Sequence, residues 1–142
     1  MKRIKQFLFL IALIILAACG SDAQIKEDAP ENGVEVLYFY GKQRCATCQA
    51  IEKETEALID SQFADAVKSG KVRLRMIDIT KSENEAIADK YEITWSSLVL
   101  AKYNNGKEET SENLTQFAFA NARSNPAQFK KELAAKINEM LK

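Results

Sequence analysis

The chain contains no histidine, and that absence removes whole classes of chemistry. Ser-His and Cys-His catalysis, His-ligated haem and every mixed Cys/His zinc pattern require an imidazole. Basic and acidic residues balance at 20 each, and Lys2, Arg3 and Lys5 place three of the basic ones in the first five positions. The rest of the chain is mildly acidic, with no basic cluster interleaved with aromatics, so nucleic acid is excluded as a partner. The domain beyond residue 33 shows no repeat and no low-complexity segment. The one long apolar run, Phe7 to Leu16, is about half the ~20 residues that a transmembrane helix needs. At 142 residues there is room for one core.

What is present begins with an address. "MKRIKQFLFLIALIILAAC" has a positive start, a short apolar run and small residues leading to Cys19, the layout of a secretory signal. Its ending, Leu16-Ala17-Ala18-Cys19, resembles the bacterial lipobox, where cleavage precedes the cysteine and lipid is attached to its sulfur. The alternative is a cleaved signal with a chance cysteine. Residues 1–18 are therefore expected to be a lipoprotein signal peptide, and 34–142 the folded domain. Between them, residues 19–33 are polar, carry Gly and Pro and lack an apolar period, which suits a lipid-anchored flexible tether. The domain is expected outside the cytoplasm, anchored to a bacterial membrane in the periplasm or at the cell surface, where disulfides persist.

"VEVLYFY" (Val34 to Tyr40) is β-branched and aromatic, as a buried central strand would be. Ile51, Thr55, Leu58, Ile59, Phe63, Ala66 and Val67 recur at helical spacing, predicting one long helix up to Ser69-Gly70. Lys71 to Ile79 reads as a second strand, parallel to the first because the crossover is short and helical. Ser82 with Glu85 fits a capping box opening a helix to about Tyr91. Ser97 to Tyr103 and Lys107 to Thr110, joined through Asn-Gly, predict a hairpin. Leu114, Phe117 and Ala118 suggest a helical turn, and Asn125-Pro126 starts a terminal helix. The sum is an α/β domain with a central mixed four-stranded sheet flanked by helices.

Between the first strand and the first helix stands Cys45-Ala46-Thr47-Cys48. A staple closing a four-residue loop restrains the unfolded chain very little. Two sulfurs without further ligands leave tetrahedral zinc half-coordinated, although a soft metal or metalloid accepts two or three thiolates. A redox pair is the third reading. At a helix N-terminus, unpaired amides and the helix dipole favour a Cys45 thiolate, with Lys42 and Arg44 adding positive charge. Thiolate attack on a disulfide gives a mixed disulfide, and a second thiol one turn along resolves it.

The motif, its position and the order strand, helix, strand, helix, strand, strand, helix resemble the thioredoxin family over residues 34–142. "YEITWSSLVLAKYNNGKE" (Tyr91 to Glu108) is similar to that family's second active-site segment and closing hairpin. The resemblance implies a thiol-disulfide oxidoreductase without cofactor or resident metal, with Cys45 as nucleophile and Cys48 as resolver. Protein thiols and disulfides are then the substrates, and a transmembrane thiol reductase is an expected electron donor. A non-enzymatic dithiol module for a soft metal or metalloid is the alternative function. The chain departs from the family in several places. Phe39 stands where a buried Asp assists the resolving thiol, leaving Glu52 as a candidate proton relay. Arg44 replaces the family's tryptophan. Ser96-Ser97 replaces the segment of the cis-proline, with Ser97 aligned to face the sulfurs and the bond expected trans. A register off by one would make Ser97 an ordinary strand start. Trp95 is expected either at the rim of this segment or in the core.

Overall fold

A computed structural model of the chain describes residues 30–142. The expected signal peptide, the lipidation at Cys19 and most of the tether lie outside the described residues. Strand β1 is Gly33–Tyr40, and every residue from Val34 to Phe39 is buried. The fold begins before residue 34: Pro30 is buried, the Glu31 carbonyl accepts from the Gly106 amide at 2.8 Å, and Asn32 Oδ1 accepts from the Asn105 amide at 3.0 Å. The end of the expected tether is thus hydrogen-bonded to the far hairpin.

The predicted long helix is two pieces, α1 (Ala46–Gln62) and α2 (Ala64–Lys68). Phe63 breaks it by leaving helical geometry, with φ −119°, while its ring enters the core at 5% exposure. Apolar spacing alone does not reveal such a break, because Phe63 keeps the stripe while bending the axis. Strand β2 (Val72–Asp78) runs parallel to β1, as the short crossover predicts.

After β2 the capping box does not form. Ser82 opens a 3-10 turn (Ser82–Asn84) that leads into α3 (Glu85–Lys90), and neither start has a side-chain cap. Lys81, not Ser82, holds the extended cap conformation. Asp78 organises this reversal: its Oδ1 accepts from the Thr80 amide and hydroxyl, and its carbonyl accepts from the Asn84 side chain.

Strands β3 (Ser97–Asn104) and β4 (Lys107–Asn113) form the antiparallel hairpin. Asn105 and Gly106 take φ of 51° and 71°, the positive values a tight turn demands. Strand β4 runs three residues past the expected Thr110. Its sequence, KEETSEN, is polar throughout, so no apolar alternation marked its extent. Helix α4 (Thr115–Asn121) precedes α5 (Pro126–Met140), which Asn125 caps by accepting from the Gln128 amide.

The sheet order is β2-β1-β3-β4, a mixed four-stranded sheet flanked by helices. Side chains alternate across it. Val34, Val36, Tyr38, Leu98 and Leu100 face α1 and α5, packing with Ile51, Leu58, Phe129, Leu133 and Ile137. Leu37, Phe39, Val99 and Ala101 face the other way, toward Ala88 of α3 and Ile93.

Candidate active site

The chain leaves β1 at Tyr40 and enters α1 through Cys45. Cys45 is the N-cap, with φ −67° and ψ 160°, and its Sγ accepts from the Cys48 amide at 3.0 Å. Extended backbone at the cap aims the side chain back over the first turn, where helical amides have no partner. The first turn of α1 contains no acidic residue, so nothing there opposes a negative sulfur. Cys45 and Cys48 are joined in a disulfide with Cα atoms 5.0 Å apart. Cys45 is exposed while Cys48 is 6% exposed. Only the first is therefore presented to another molecule.

Beneath the pair lies Tyr38, fully buried, whose hydroxyl donates to the Cys48 carbonyl at 2.7 Å. Burial pushes its phenol pKa up, and the Ser96 hydroxyl and Arg44 guanidinium beside the oxygen pull it back. Sequence reasoning passed over Tyr38 as part of an apolar strand. The available signal was a phenol in a run with both faces covered, since a buried tyrosine hydroxyl needs a partner.

The other expected site residues fall around this core. Lys42 is exposed. Arg44 stacks over the Tyr40 ring, 4.6 Å from its centroid, and forms an ion pair with Glu52. The charge proposed for the thiolate and the acid proposed as a proton relay therefore engage each other. Phe39 is fully buried with its ring edge-on to Tyr91 at 6.0 Å, on the sheet face away from α1. The acid-free position beneath the cysteines is filled from the neighbouring position, 38.

The register at the second segment is the one-residue alternative. Ser97 pairs with Phe39 in the sheet and its hydroxyl donates to the Trp95 carbonyl at 3.0 Å. Ser96, at 7% exposure, is the serine beside Tyr38 and hence on the cysteine side. The correction follows from the period of two along a strand, because one step exchanges faces. No cis peptide bond occurs among the described residues, so the bond between the two serines is trans. Trp95 is not in the core: it is 55% exposed, with its ring 5.0 Å from that of Phe119 on α4.

On the opposite face, at the other end of β1, a second polar cluster surrounds Glu35. Its carboxylate is 1% exposed and lies 3.8 Å from both Arg73 and Arg75. Burial pushes the Glu35 carboxyl up, against a hydrogen bond with Tyr103 and the charge of Arg73. Nearby, Tyr91 donates to Glu108 at 2.6 Å and Lys90 lies 2.5 Å from the same carboxylate oxygen. This cluster braces α3 against the hairpin and does not reach the sulfurs.

Among solved structures, the chain superposes on the Trx4 domain of ERdj5 with a TM-score of 0.50 at 23% identity, covering 78% of this chain and 82% of that one. The first two thioredoxin domains of Eps1p from Naumovozyma dairenensis match with a TM-score of 0.51 at 15% identity, over 80% of this chain and 37% of that one. The fold is thioredoxin-like. Protein disulfide-isomerase 1 of Dictyostelium discoideum is 27% identical over 128 residues, which is 80% of this chain and 34% of that protein. The chain thus spans about a third of that relative's length. No family model matches. Within the thioredoxin-like frame, the Cys-X-X-Cys motif lies where the parallel β1-α1-β2 unit turns from strand to helix.

Proposed function

We propose that the protein is a thiol-disulfide oxidoreductase acting on protein thiols and disulfides outside the cytoplasm, with Cys45 as nucleophile and Cys48 as resolver. The carrying observation is the exposed Cys45 sulfur at the N-cap of α1, accepting the Cys48 amide at 3.0 Å and bonded to a buried partner. A backbone amide directed at the sulfur favours its anion, which is the attacking species. The Cys45 thiolate bonds to one client sulfur, and the other departs with the electron pair and takes a proton from water. Cys48 then gives its proton to water, attacks the Cys45 sulfur, closes the Cys45-Cys48 bond and expels the remaining client thiolate. Two electrons pass from the dithiol to the client disulfide, and the reverse sequence oxidises a client dithiol. The similarity to a protein disulfide-isomerase supports protein clients.

The Leu-Ala-Ala-Cys ending at Cys19 supports a lipid anchor in a bacterial membrane, with the signal peptide removed and the residues after Cys19 as tether. A transmembrane thiol reductase is the partner whose chemistry regenerates a reducing dithiol there. In the full-length protein, Cys48→Ser cannot resolve its first adduct, so clients accumulate as reductant-sensitive complexes with Cys45. Failure of Cys48→Ser to capture any partner, or faster alkylation of Cys48 than of Cys45 in the reduced wild type, refutes the roles. Cys19→Ala should abolish lipid labelling, and a variant still cleaved and lipid-labelled refutes the anchor.

A further inference from the structure

Three parts of the site come together around the Tyr38 side chain. It belongs to β1, it donates to Cys48 in the first turn of α1, and Ser96 from the segment before β3 and Arg44 from the residue before the nucleophile lie near enough to influence its phenol. A phenol has a single proton. That proton is given to the Cys48 carbonyl, which leaves the Tyr38 oxygen only acceptor capacity. The hydroxyl itself is shielded from water: Tyr38 is 0% and Ser96 7% exposed.

Cys48 has two duties in the exchange. Its amide holds the Cys45 sulfur at 3.0 Å, and its thiol performs the resolving attack. Whatever fixes its main chain therefore acts on both. We propose that Tyr38 is a positioning residue for the Cys45-Cys48 exchange, its hydroxyl locking the Cys48 main chain with Ser96 beside it. This deepens the oxidoreductase reading and rests on it. The group that pins the Cys48 main chain is a neutral hydroxyl, in a strand whose neighbouring Phe39 turns to the opposite face.

The test uses reduced protein and needs no client. Iodoacetamide trapping across pH gives the Cys45 alkylation midpoint, and rapid mixing with glutathione disulfide gives the rate at which Cys48 resolves the Cys45-glutathione adduct. Tyr38→Phe keeps the ring and removes only the oxygen. It should slow resolution about threefold to tenfold and raise the alkylation midpoint by about 0.5–1 pH unit. Ser96→Ala should move both in the same direction by less. Because both act through one oxygen, the double variant should do no more than Tyr38→Phe alone. Should Tyr38→Phe prove unstable, Ser96→Ala and its glutathione kinetics decide the matter alone. Resolution rate and midpoint unchanged in the variants, with only the melting temperature lowered, would leave Tyr38 a packing residue and overturn the inference. A wild-type midpoint at the ordinary thiol value of about 8.5 would instead overturn the oxidoreductase reading, so the two failures are told apart.

Discussion

Replacing Cys45 by Ala and by Ser separates what the sulfur does as a cap from what it does as a nucleophile. Both substitutions remove the disulfide and the attacking group, so both proteins are inactive and neither has the closed loop. They differ in one respect: serine keeps an acceptor for the Cys48 amide, which lies 3.0 Å from Sγ in the native protein, and alanine does not. An N-cap acceptor contributes about 1 kcal/mol over alanine. No acidic residue in the first turn of α1 compensates for its loss, so the full difference should appear. In urea unfolding at neutral pH, Cys45→Ser should exceed Cys45→Ala by about 1 kcal/mol, and its thermal midpoint should lie about 3–6 °C higher. The same amide would hold the Cys45 anion, and about 1 kcal/mol corresponds to roughly 0.7 pH unit in a thiol's titration. Equal midpoints, or a more stable alanine variant, would show that the amide is not directed at residue 45. The structural basis for an activated Cys45 would then be gone.

Glu52 is paired with Arg44 in a partly exposed site, where such a bond is worth about 1 kcal/mol. Glu52→Gln should therefore change unfolding by less than that while leaving the resolution of a glutathione adduct within about twofold of wild type; a tenfold or greater loss of resolution (about 1.4 kcal/mol or more) would make Glu52 a proton carrier after all. Glu35 carries a pH signature, because burial raises its carboxyl above 4.5 while Arg73, Arg75, Tyr103, Lys90 and Glu108 surround it. For an acid raised on folding, the folded state holds the proton more tightly, so stability is complete below the unfolded value and falls as pH rises through the folded one. Unfolding measured between acid and neutral pH should show that decline in wild type and a flatter profile in Glu35→Gln. Identical profiles, or a wild-type stability that rises through this window by more than the variant's, would refute the burial argument.

Much of this protein was legible before folding because local rules govern it. Helical and strand periods located the first three strands and the terminal helix, and the hairpin turn implied the fourth strand. Asn-Gly placed the hairpin turn, now seen as paired positive φ values, and Asn125-Pro126 placed the cap of α5. The Cys-X-X-Cys junction was read from the sequence alone, since a cap and a following helix are determined within a few residues. What failed was decided by long-range contact. Phe63 broke the helix because the core had room for its ring off the helical axis. The edge strand β4 extended to Asn113 because β3 supplied partners for a polar segment that no pattern would have called a strand. At the site, sequence spacing placed Lys42, Arg44 and Glu52 near the cysteines but not the pairing of Arg44 with Glu52, which depends on side-chain direction. Nor could it choose between Ser96 and Ser97, whose faces are assigned only when β3 registers against β1. Tyr38 and Cys48 are ten residues apart in sequence. Their hydrogen bond exists because α1 folds back over β1 and buries a phenol that must then find an acceptor, and no local pattern contains that requirement.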